Sequence, residues 1–213
     1  MPRWNYILWD HDGVLVDTEP WYFRATRRAL GDVGIDLALG EYLNFMARGQ
    51  SAWDLALKAG VSATTVYRHK RFRDEHYQQY LITEDIEIPG VDEVLTALGN
   101  TSAMAIVTTA KKADFELIHR SRNIVSHMEF VLMSGDYARS KPAPDPYLAA
   151  LDRFEIDPSE AVVIEDSERG LRSAVAAGVD CIVVYNKFTE TQNFSRASEH
   201  VDSLAELPGL ING

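Results

Sequence analysis

The chain has 213 residues, 46% of them apolar, enough to bury one ordinary domain or a core with an insertion, which excludes wholesale disorder. A formal net charge of −11 argues against nucleic acid or an anionic membrane as the default partner, because phosphate binding generally rests on clustered Lys and Arg. Cys181 is the only cysteine, so no intramolecular disulfide is possible and a thiolate metal site is not expected.

The first apolar run, residues 5–9, meets charge again at Asp10, too soon for a secretory leader. No stretch approaches the roughly eighteen apolar residues of a membrane span, so a soluble, cytoplasmic protein is expected. The interval 18–87 then reads as helical throughout, with helices near 19–32, 40–47, 51–59 and 63–82. Pro89-Gly90 supplies a turn signal at its end. Four further apolar runs follow at 103–107, 129–133, 161–164 and 180–184, without the polar alternation of a half-exposed strand and with helix-like stretches between them. Such runs suit parallel strands covered on both faces. The expected fold class is α/β, a doubly wound, Rossmann-like parallel sheet built from 1–17 and 88–213, with 18–87 inserted as a helical cap after the first strand.

Several runs end on residues able to do chemistry: the first at Asp10, the second at Thr108-Thr109, the fourth at Glu165-Asp166. Ligands of open parallel sheets bind at the carboxyl ends of strands, so these residues are candidates to converge. Asp10 and Asp12 lie two apart before Gly13, whose lack of a side chain permits a tight backbone course. Two like charges so close call for a cation or a shared proton. Magnesium held by one or two carboxylates and a substrate phosphate meets that need, and Glu165-Asp166 would complete a hard oxygen site.

The stretches ILWDHDGVLVDTE, AIVTTA, SKPAPDPY and VVIEDSERGLRSAVAAG resemble, in order, the four motifs of the haloacid dehalogenase superfamily, in its phosphatase and β-phosphoglucomutase-like branch. The resemblance implies a magnesium-dependent phosphatase acting on a small phosphorylated metabolite. It places the nucleophile on Asp10 and the general acid/base on Asp12. Thr108, with backbone N–H groups at Thr109 and Ala110, would hold phosphoryl oxygens, and Lys141 would neutralise charge. Mg2+ would sit on Asp10, the Asp12 carbonyl and Asp166, with Glu165 beside it. Tyr22, Arg48 and Gln50 are the expected substrate contacts in the cap. No nucleic acid or membrane partner is expected, and the oligomeric state is expected to be a monomer or weak dimer. Gly170 and Gly178 read as packing and helix-ending glycines.

A phosphomutase is the alternative within this resemblance. Mutases of this branch carry Thr-Ala-x-x-His after the first motif, whereas this chain has Thr18-Glu19-Pro20-Trp21-Tyr22. Their cap offers an Arg after a Gly-Val-Ser run, and here Gly49-Gln50-Ser51 leads to Ala52. The alternative from another class is DNA binding. AGVSATTVYRHKRFRDE, residues 59–75, resembles the recognition region of TetR-type helix-turn-helix repressors, with Arg68, His69, Lys70, Arg71 and Arg73 as its basic cluster. Its place between two enzyme motifs, and the acidic chain around it, favour a helical cap using similar turn chemistry.

Overall fold

The computed structural model describes residues 3–213. It divides into two compact units, one formed by the chain up to Asp17 and from Glu87 to Gly213, the other by Thr18–Ile86.

In the first unit, β1 (Tyr6–Trp9) is followed, beyond residue 86, by α5 (Val91–Gly99), β2 (Ala103–Val107), α6 (Lys112–Ile118), β3 (Phe130–Leu132), α7 (Asp145–Phe154), β4 (Ala161–Glu165), α8 (Glu168–Ala176), β5 (Asp180–Val184), β6 (Glu199–Val201) and α9 (Leu207–Asn212). The labels α1 to α4 belong to the other unit. Among the described residues the sheet has six strands in the order β3-β2-β1-β4-β5-β6, all parallel. This is the expected doubly wound α/β fold.

Strand residues alternate between the two faces, and both faces are buried. Leu8, Ala105, Val163 and Cys181 pack with Tyr147, Leu151, Leu171 and Ala174 of α7 and α8. Their neighbours Ile7, Met104, Ile106, Val162 and Ile164 are equally buried. Two-sided burial explains why these strands read as unbroken apolar runs. The exception is β6, whose Glu-His-Val carries no such run; it is a three-residue edge strand recognisable only by its pairing with β5.

The topology fixes where chemistry can occur. β1 lies between β2 and β4, the point at which the winding reverses, with Trp9 in register with Ile106 and Ile164. The Asp10 N–H still donates to the Ile164 carbonyl at 2.9 Å, so Asp10 leaves the sheet beside Glu165.

In the second unit, α1 (Glu19–Gly31), α2 (Leu39–Ala47), α3 (Asp54–Lys58) and α4 (Ala63–Thr83) follow in order. α3 is shorter than the stretch 51–59 suggests, because Ser51 Oγ accepts from the Trp53 N–H and makes a turn of the preceding residues. Ser62 caps α4, its side chain accepting from the Thr65 N–H at 3.1 Å. α1 and α4 bury Ala25, Ala29, Leu30, Val66, Tyr77 and Leu81. Among the described residues, no helix is long and apolar enough to cross a membrane.

Candidate active site

The end of β1 is shaped by its loop. The His11 carbonyl accepts from the N–H groups of Leu15 and Val16 at 2.9 and 3.2 Å, and Gly13 donates to the Val16 carbonyl at 2.7 Å. This tight return requires φ +86° at Gly13, a left-handed conformation that glycine adopts without strain. Space demands glycine too: a Cβ here would stand 2.2 Å from Asp166 Oδ2. The Asp12-Gly13 backbone therefore lies directly against Asp166. Asn186, the second residue beyond β5, joins them by donating to Asp166 Oδ2 at 2.8 Å and to the Gly13 carbonyl at 3.2 Å.

Lys141 is buried and donates to two carboxylates, Asp10 Oδ1 at 2.6 Å and Glu165 Oε1 at 2.9 Å. Glu165 is saturated. Its Oε1 also accepts from the Tyr147 hydroxyl at 3.1 Å, while Oε2 accepts from the Asp166 and Ser167 N–H groups, both at 3.1 Å, and from Ser167 Oγ at 2.9 Å. The Lys141 ammonium lies over the Tyr147 ring, 4.8 Å from its centroid.

These contacts divide the carboxylates electrostatically. Burial works to raise the Glu165 pKa, but Lys141 and Ser167 outweigh it and hold Glu165 below the usual range. Asp10 goes the other way, raised to about 6 by burial and then by the Glu165 charge, against the pull of Lys141. Lys141 itself is raised, the two carboxylates overcoming its burial. One lysine thus serves two buried carboxylates, and Glu165 has four further donors besides it. Asp10 is left short of positive charge.

Asp10, Glu165 and Asp166 each offer an oxygen, all within 4.8 Å of one another. This donor set fits a hard divalent cation, and the deficit at Asp10 is one that a cation relieves. Because five donors already occupy Glu165, Asp10 and Asp166 are the better-placed ligands of the three.

On the β2 side, buried Thr108 approaches Asp12 Oδ2 with its hydroxyl at 3.4 Å. Its Oγ1 accepts from the Ala110 N–H at 3.0 Å, so that N–H, expected to meet phosphoryl oxygens, already has a partner. Half-buried Thr109 lies between them. The Tyr137 hydroxyl donates to the Thr108 carbonyl at 2.7 Å and fixes the strand end. Tyr137, Tyr147 and Asn186 are site residues that the sequence reading missed. Tyr147 stands inside the SKPAPDPY stretch, and Asn186 lies just beyond a strand end; those positions are the available signals.

The Tyr22 hydroxyl accepts a short hydrogen bond from Arg73, whose guanidinium also lies 4.5 Å from the centroid of the Tyr22 ring. Arg48 ends α2, and both it and Gln50 are exposed. The basic cluster does not form one surface: Arg73 is buried and paired with Asp74 at 2.7 Å, and buried His69 bonds the Thr65 carbonyl, while Arg68 and Arg71 face outward.

At one end of the parallel sheet, acidic strand ends thus gather around a buried lysine. A family model described as haloacid dehalogenase-like hydrolase matches residues 7–184, and the chain belongs to that family. Among individual proteins it is similar to Protein CbbY of Cereibacter sphaeroides, 29% identical over 220 residues that cover 96% of this chain and 94% of the relative. Fructose-1-phosphate phosphatase YqaB of Escherichia coli is 26% identical over 185 residues, covering 85% and 97%. The crystal structure of CbbY from Rhodobacter sphaeroides in complex with phosphate superposes with a TM-score of 0.80 at 25% identity, covering 97% of this chain and 96% of that one.

Proposed function

We propose that the protein is a magnesium-dependent phosphatase of a small phosphorylated metabolite, in the class of sugar phosphates, working through an aspartyl-phosphate. The observation carrying this reading is the bridge from Lys141 to Asp10 and Glu165 at the switch point of the sheet, in a chain of this hydrolase family. The similarity to a fructose-1-phosphate phosphatase supports the substrate class.

Asp10, Asp166 and the Asp12 main-chain carbonyl would hold the cation, with Glu165 behind them. When bound, it would supply Lewis-acid stabilisation and a template for the phosphoryl group. An Asp10 carboxylate oxygen forms a bond to phosphorus while the ester P–O bond breaks, and Asp12 gives its proton to the leaving oxygen. Asp12 then takes a proton from water, which attacks phosphorus and releases phosphate and the Asp10 carboxylate. Lys141 keeps Asp10 oriented and offsets the gathering negative charge, and Thr108 with the Thr109 N–H receives phosphoryl oxygens. The helical unit acts as the cap that selects the leaving group.

The test is phosphate release from an aryl phosphate with magnesium, with excess chelator, and by Asp10→Asn. Both the chelator and the variant are expected to abolish turnover. Undiminished release in either would overturn the reading.

A further inference from the structure

Behind Asp12 lies a pair of histidines that the phosphatase chemistry does not employ. His11 is fully buried between Asp10 and Asp12 in sequence, and His119 follows α6. Their Nε2 atoms stand 2.9 Å apart. The Phe115 ring encloses both, 4.9 Å from the His11 ring and 4.3 Å from that of His119. On its other side His11 turns Nδ1 toward Asp12 Oδ2 at 3.3 Å, within electrostatic reach but not aligned as a full hydrogen bond.

Two facing ring nitrogens at 2.9 Å need one proton between them, and two arrangements of neutral rings supply it. If His11 donates, its Nδ1 lone pair faces Asp12, and the Nδ1–H of His119 is buried without an acceptor. If His119 donates, His11 carries its proton on Nδ1 and presents an N–H to Asp12. The only unmet group is then the His119 Nδ1 lone pair. A buried orphaned donor costs more than one unfilled acceptor, so the second arrangement wins. Burial, followed by His11 and Arg122, holds the His119 pKa down to about 3, which keeps that ring neutral.

We infer that His119 is a positioning residue: by donating Nε2–H to His11 it fixes the His11 tautomer whose Nδ1–H faces Asp12. Thr108 approaches the same Oδ2, so both groups act on one oxygen of Asp12. The inference rests on the acid/base role proposed for Asp12, but the tautomers can be read without any turnover.

Nitrogen-15 NMR of the imidazole groups in the unaltered protein is therefore the first test. It should show Nδ1–H for His11 and Nε2–H for His119; the reverse pair, or a charged His119 at neutral pH, overturns the inference. Kinetics provide the second. His119→Leu should slow an alkyl phosphate, whose leaving oxygen needs a proton, roughly ten-fold, and a nitrophenyl ester less than two-fold. His119→Gln, whose amide can still donate, should restore most of that loss. In an Asp12→Asn background, His119→Leu should have no further effect. Equal losses on both esters, or full additivity with Asp12→Asn, would reduce His119 to a packing residue. Expected tautomers in a protein without phosphatase activity would uphold the histidine arrangement and sink the function proposed for Asp12.

Discussion

A methyl group on residue 170 would stand 1.5 Å from Glu165 Oε1. Gly170 lies in the first turn of α8, and its bare Cα lets Glu165 sit beneath the helix start, where Ser167 caps the Gly170 N–H and also donates to Glu165. Glu165 is wholly buried with five donors around it, so it has no low-cost way to move aside.

Gly170→Ala should therefore displace Glu165 and unseat Lys141 with it. Disrupting a buried, hydrogen-bonded ion pair costs on the order of 3–5 kcal/mol. Chemical denaturation should show a loss of that size, together with little remaining activity. A variant as stable as the parent would mean that α8 shifts without breaking these bonds.

Lys141→Met keeps the length of the side chain and removes its charge, leaving Asp10 and Glu165 as two buried carboxylates with no cation between them. Turnover should fall by about 10² or more, as when an electrostatic contributor to the transition state is removed. Steady-state rates on an aryl phosphate, with magnesium saturating, check this.

Gly13→Ala tests the metal side of the site. The new methyl group would meet Asp166 Oδ2 at 2.2 Å on a backbone with φ +86°, so Asp166 and the Asp12-Gly13 loop cannot both stay in place. Magnesium affinity measured by calorimetry should drop at least about ten-fold, in line with the loss of a supporting contact to a metal ligand. Unchanged affinity would place the cation elsewhere.

Stability should respond to acid through His119. A histidine whose folded pKa lies near 3 binds its proton more weakly than in the unfolded chain, where the value is about 6.5. Its contribution is intact above that unfolded value and is lost as pH falls toward the folded one. The ceiling is about 1.4 kcal/mol per pH unit, reduced here because the ring keeps some contact with solvent. His119→Gln removes the titration, so between pH 7 and pH 5, roughly the upper part of that window, the parent should lose more stability than the variant. The groups acting on His119 are His11 and Arg122, which disfavour its charge, and Asp12, which favours it.

Much of this site was legible because its residues stand at strand ends within ordered motifs. Asp10, Thr108 and Glu165-Asp166 follow apolar runs whose two-sided burial made them conspicuous. The resemblance set Asp166 on the metal and Glu165 beside it, but the partners that separate the two could not be read. Adjacent in sequence, they differ because Glu165 meets Lys141, Tyr147 and Ser167, whereas Asp166 meets Gly13 and Asn186. His119 was also invisible, since its Nε2 meets that of His11 across 108 residues of sequence. In the helical unit the run of basic residues overstated the surface charge, because helical periodicity turns His69 and Arg73 inward together.

The central claim is that Asp10 becomes phosphorylated during turnover. Its most direct test is acid quenching of the protein during reaction with an aryl phosphate, using Asp12→Asn to slow hydrolysis of the intermediate, followed by peptide mass spectrometry. One added phosphoryl group is expected on the peptide from the end of β1, assigned to Asp10 by fragmentation and absent from Asp10→Asn. Turnover by the parent with no phosphoryl group on Asp10 in either protein, or with the group on another residue, would contradict it.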